Sequence, residues 1–92
     1  MIKTFSCRDT EKLFRDEQVL RFQSIERQAR KRLMVLHAAP SLKALMLNPG
    51  NKFHALRGDR KGQYAIRIND RWRVCFEWHE GNAYNVQIID YH

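Results

Sequence analysis

The chain has 92 residues, with 17 Lys plus Arg against 10 Asp plus Glu, a net charge of +7 with the histidines neutral. That length holds one domain around one economical core, and a composition of 43% apolar and 29% charged residues excludes both a disordered chain and an acidic, solvating one. The charge makes a polyanion the expected partner, no apolar run nears the roughly 18 residues of a membrane span, and no long apolar stretch follows Met1 to mark a secretory signal, so a cytoplasmic protein is expected.

Ile2 to Phe5 can form a short first strand. Ser6-x-x-Asp9 offers N-cap chemistry for a short helix over about residues 8–16, with Leu13 and Phe14 as its apolar positions. A second helix is written more strongly: Phe22, Ile25, Ala29, Leu33 and Leu36 recur at steps of three and four. Ser24 can cap it, Pro40 stops it, and Arg27, Arg30, Lys31 and Arg32 fall mostly on its wet side. Ser41 then caps a turn or two of helix with Leu42, Leu45 and Met46 facing inward, and Asn48-Pro49-Gly50-Asn51 is a strong turn signal.

From residue 53 the period changes to two. Phe53 to Leu56 reads as a short strand, followed by a loop at Gly58-Asp59-Arg60-Lys61-Gly62. Tyr64, Ile66 and Ile68 alternate with polar or small residues, as do Trp72, Val74, Phe76 and Trp78, and later Val86 and Ile88. Asn69-Asp70-Arg71 and Glu80-Gly81-Asn82 are hairpin turns. The expected fold is α+β: an antiparallel sheet of about four to five strands, with one apolar face packed against two N-terminal helices. Cys7 and Cys75 lack metal-ligand spacing and read as small buried apolar residues.

Two segments carry the whole basic excess. Residues 21–32 hold Arg21, Arg27, Arg30, Lys31 and Arg32 against Glu26; residues 52–73 hold Lys52, Arg57, Arg60, Lys61, Arg67, Arg71 and Arg73 against Asp59 and Asp70. Closing the hairpin at residues 69–71 sets Arg67 opposite Arg73. Like charges directly opposite destabilise a ladder, so the pair either holds an anion or snorkels on a solvated face. The last strand runs into Asp90-Tyr91-His92, which is either a solvated tail or a proton-transfer group beside the strand of Arg73. His54 stands just before the basic loop; His37 and His79 have no such company.

No Walker loop, His-Glu-x-x-His, Gly-x-Ser-x-Gly or EF-hand pattern occurs, and the carboxylates are too scattered for a two-metal nuclease. Any catalysis would be free of metal and cofactor and built from His, Tyr, Asp and Arg. One reaction suits that set. RNA cleavage by its own 2′-OH needs a base on the hydroxyl, an acid on the departing 5′-oxygen, and cations on the phosphorane.

The sequence also resembles a known family. Met1-Ile2-Lys3-Thr4-Phe5, Arg30-Lys31-Arg32-Leu33, Pro49-Gly50-Asn51, Leu56-Arg57-Gly58-Asp59-Arg60-Lys61-Gly62, Ile66-Arg67-Ile68-Asn69-Asp70-Arg71-Trp72-Arg73-Val74-Cys75-Phe76 and Asp90-Tyr91-His92 resemble, in order and at family length, the HigB toxins of the RelE/ParE superfamily. The resemblance implies a RelE-like, microbial RNase-like fold and cleavage of mRNA in the A site of the 30S ribosomal subunit. It implies a HigA-like helix-turn-helix antitoxin as partner. It also implies chemistry at His54, Asp90, Tyr91 and His92, with cationic support from Arg57 and Arg73. His92 would lead proton transfer, with Asp90 orienting it or acting as partner base. Arg60, Lys61 and Arg67 would add phosphate contacts, and Arg27, Arg30 and Lys31 would grip ribosomal RNA. The alternatives are a ParE-like toxin acting on DNA gyrase, or a non-enzymatic nucleic-acid-binding module.

Overall fold

A computed structural model describes residues 1–90. Three α-helices, α1 (Arg8–Phe14), α2 (Glu26–Ala38) and α3 (Leu42–Leu47), precede four strands, β1 (His54–Ala55), β2 (Tyr64–Arg67), β3 (Trp72–His79) and β4 (Asn82–Asp90). The strands form one antiparallel meander in chain order. Leu13, Phe22, Ile25, Ala29, Leu33, Leu36 and Leu45 from the helical layer pack on Ile66, Val74, Phe76, Val86 and Ile88 from the sheet, as the two periodicities predict.

The helix ends show which local signals win. Ser41 Oγ accepts from the Ala44 amide at 3.1 Å and caps α3 as expected. Ser24 caps nothing: a 3₁₀ stretch, Leu20–Ile25, runs directly into α2, and Ile25 occupies its N-cap. Ser6 lies one residue outside the cap of α1 and donates instead to the Asn85 carbonyl at 3.0 Å. Helix α2 ends where Ala39 turns extended, the conformation Pro40 imposes on the residue before it. Met46 is 56% exposed rather than inward-facing: Leu45 is the buried residue of α3, and Leu42 packs on the core beside it.

The expected N-terminal strand reduces to two parallel bridges, Ile2 to Ala83 and Phe5 to Val86. A bulge in β4 explains the interruption. Glu77 pairs with Tyr84 but Cys75 with Gln87, so two residues of β4 oppose Phe76. Asn85 takes the left-handed conformation there (φ 53°), which Asn tolerates better than most residues. Its amide donates to Thr4 Oγ1 at 2.8 Å and its side chain donates to Glu77 at 2.8 Å. The bulge reverses the alternation, so that Ala83 before it and Val86 and Ile88 after it all face the core.

Two buried polar side chains pin the layers together. Thr10 Oγ1 accepts from the Ile88 amide at 2.9 Å, tying α1 to β4. Asn51 accepts from Arg32 at 2.6 Å and donates to the Leu45 carbonyl at 3.1 Å, fixing the turn after α3 against α2. Thr10→Val keeps the shape but strands the Ile88 N–H. Chemical denaturation should show a loss of about 1–3 kcal/mol.

The sheet's second face is not simply polar. Leu56, Ala65 and Cys75 form a small buried cluster there, with Ile89 packed against it. Burial pushes the Cys75 thiol from its ordinary value up to about 11, although the charges of Arg60 and Arg73 pull the other way. For Cys7, burial pushes the thiol up, but hydrogen bonds from the Thr10 side chain and from the Thr10 and Asp9 amides, with the charge of Arg21, outweigh it and leave it lowered. Iodoacetamide at pH 8 should therefore label Cys7 and spare Cys75 until the protein unfolds. Above pH 9 the unfolded chain gives up the Cys75 proton while the folded chain keeps it. Stability should fall as pH rises from about 9 to 11, and Cys75→Ser should remove that limb.

Candidate active site

The hairpin between β2 and β3 is closed by Asn69, whose Oδ1 accepts from the Arg71 and Trp72 amides, each at 2.9 Å. This closure sets Arg67 directly opposite Arg73. Arg67 Nη2 donates to Asp70 at 2.5 Å, and Arg73 Nη1 donates to the Asn69 carbonyl and, at 3.1 Å, to the Trp72 carbonyl. Asp70 is a counter-ion among cations. The Arg67 hydrogen bond and charge, then the charges of Lys52 and Arg73, hold its carboxyl below the usual range.

Cross-strand register places the other candidates. His54, Ala65, Cys75 and Gln87 form one row across the sheet, and Arg67, Arg73 and Ile89 form the next row on the same face. Arg60 and Arg73 both exert their charge on Cys75, so the basic loop folds back toward this face. His54, Ala55, Leu56 and Arg57 line a shallow hollow of about 410 Å³ at its edge. His54 Nδ1 lies 3.4 Å from the Lys52 carbonyl. That contact favours the tautomer with the proton on Nδ1 and the lone pair on Nε2. His54, Arg67 and Arg73 thus share this face, the charge of Arg60 reaches it at Cys75, and Arg57 lines the edge hollow with His54; Lys61 is exposed in the adjoining loop.

The remaining candidates lie elsewhere. Arg27 and Lys31 are exposed on α2, across the core from this face. Arg30 works inside the fold: it donates to the Leu13 carbonyl at 3.0 Å and the Glu17 carbonyl at 2.8 Å, and pairs with Glu26. Asp90 pairs with Trp72 in register, on the face that carries Trp72 rather than Arg73. Arg71 grips its carboxylate with Nε at 2.8 Å and Nη2 at 2.7 Å. Tyr91 and His92 lie outside the described residues. Among the described residues, no three His, Cys, Asp or Glu side chains converge as a metal site requires, and no helix is long and apolar enough to cross a membrane.

Sequence reasoning missed Arg71 and Lys52. The signal for Arg71 was present: counting back from the Glu80-Gly81 turn brings residues 71 and 72 to the level of Asp90. Lys52 gave none, because its place beside Asp70 depends on how the turn after α3 meets the sheet.

The fold is shared with YafQ from E. coli strain BL21(DE3), whose crystal structure superposes with a TM-score of 0.63 at 15% identity, covering 98% of this chain and 93% of that one. In sequence, the chain is 38% identical over 65 residues to Toxin HigB-1 of Vibrio cholerae, covering 71% of this chain and 68% of that protein. It is 42% identical over 41 residues, 45% of each chain, to Endoribonuclease HigB of Proteus vulgaris. The family model of the RelE-like toxin of the type II toxin-antitoxin system HigB matches residues 3–92, which are nearly all of the sequence, and the chain therefore belongs to the HigB-like toxins.

Proposed function

We propose that this toxin is a metal-independent endoribonuclease that cleaves mRNA in the ribosomal A site and is held inactive by a helix-turn-helix antitoxin of the HigA kind. The observation that carries the reading is the Arg67–Arg73 pair, set directly opposite each other on a face the helices do not cover. Asp70 screens Arg67 from the turn, and a phosphate set between the two guanidinium groups would offset the remaining repulsion. The similarity to a protein named an endoribonuclease supports RNA as that anion.

The chemistry needs three roles. A base takes the proton of the 2′-OH, whose oxygen attacks phosphorus. The bond from phosphorus to the 5′-oxygen breaks, and an acid protonates that oxygen. Cations stabilise the phosphorane between. Arg73 and Arg57 supply charge at the scissile phosphate, with Arg67, Arg60 and Lys61 around it. His92 leads proton transfer, and His54 acts as its complement. Tyr91 stacks on a base or hydrogen-bonds the phosphate. Arg27 and Lys31 add docking charge on the helical side.

Purified toxin added to ribosomes programmed with a defined mRNA tests this. Primer extension should show cuts within the A-site codon, none on the same mRNA without ribosomes, and steep loss of cutting with added salt. Equal cutting of free mRNA would contradict ribosome dependence, and no cutting in either case would remove the nuclease reading.

A further inference from the structure

We infer that Arg71 is a positioning residue of the active site, and that Asp90 serves as its anchor rather than as a catalytic base. The inference rests on the nuclease reading above and refines it. The Arg71 guanidinium meets both carboxylate oxygens of Asp90 in the bidentate geometry, at 2.8 and 2.7 Å. Its Cζ also lies 5.8 Å from the centroid of the Trp72 ring, over which it is placed. Trp72 in turn packs edge-on against the fully buried Phe22, with ring centroids 5.7 Å apart. Asp90 is thus linked through Arg71 and Trp72 to the core at the last described position of β4.

Two features give this link a function beyond stability. The β4 bulge sets the alternation so that Asp90 shares the face of Trp72, while Arg67 and Arg73 lie on the other face. A carboxylate placed so is badly sited to take a proton from a hydroxyl held by Arg73. His92, in contrast, follows Asp90 by two residues, and a chain spans at most about 3.3–3.6 Å per residue. Fixing the Asp90 backbone therefore fixes the point from which the chain continues to that imidazole. Misplacing a proton-transfer group by about 1 Å can cost about 10²-fold in rate.

The test is a double-mutant cycle on ribosome-bound mRNA cleavage with Arg71→Ala, Asp90→Ala and both together, circular dichroism and melting temperature confirming the fold. Each single variant should lose about 10²-fold in kcat, and the double should lose no more than either single. Asp90→Asn keeps an oxygen for Arg71 but cannot act as a base. It should retain cleavage within about tenfold and leave both limbs of the pH–rate profile in place. Abolished cleavage in Asp90→Asn, or wild-type kcat in Arg71→Ala, would overturn the inference. Hydrogen exchange separates this from failure of the nuclease reading. Exchange at the Ile89 amide should rise about tenfold in Arg71→Ala whether or not the wild type cuts RNA, and unchanged exchange would also overturn the anchor.

Discussion

Replacing His92 by Gln should lower single-turnover mRNA cleavage on programmed ribosomes about 10²- to 10⁴-fold, the range a general acid or base contributes. Gln can hydrogen-bond a phosphate or a leaving oxygen but cannot exchange a proton near neutral pH. Ribosome binding and melting temperature should stay near those of the wild type. His54→Gln should cost less, since His54 lies at the edge of the hollow and serves as the complement of His92. Undiminished cleavage by His92→Gln would remove that residue from the mechanism.

Arg73→Ala should lower kcat about 10²- to 10³-fold, the cost of losing one donor aimed at a charge that develops in the transition state. Stability should change little. The variant loses the bonds to the Asn69 and Trp72 carbonyls but also relieves the repulsion with Arg67. Arg73→Lys keeps the charge without the planar fork and should recover part of the loss. Steady-state kinetics distinguishes the roles: a change confined to KM would make Arg73 a docking charge.

Most of this architecture was legible because each layer has its own period. Phe22, Ile25, Ala29, Leu33 and Leu36 can share one face only in a helix, and Trp72, Val74 and Phe76 only in a strand. The Arg67–Arg73 apposition followed from the Asn69 turn alone. The β4 bulge was less visible, although Ala83 and Val86 break strict alternation around Asn85, a residue suited to the left-handed conformation. Missing it hid two consequences: the N-terminal strand is cut to two bridges, and Asp90 is placed with Trp72. Arg30 shows the limit of counting charge. Nothing local tells that its guanidinium bridges carbonyls 13 and 17 residues away rather than facing solvent. The basic excess accordingly divides by position, with Arg30 and Arg32 engaged within the fold and Arg67 and Arg73 on the uncovered face.

The chemistry of the cut ends tests the central claim most directly. Attack by the 2′-OH must leave a 2′,3′-cyclic phosphate on the upstream fragment and a 5′-hydroxyl on the downstream one. A single 2′-deoxynucleotide at the scissile position must block the cut. Mapping both ends of mRNA cleaved on ribosomes, with and without that substitution, should give those termini and no cleavage of the substituted strand. Downstream fragments bearing a 5′-phosphate, with the deoxy-substituted mRNA cut equally well, would show that water attacks instead and that the site works by a different reaction.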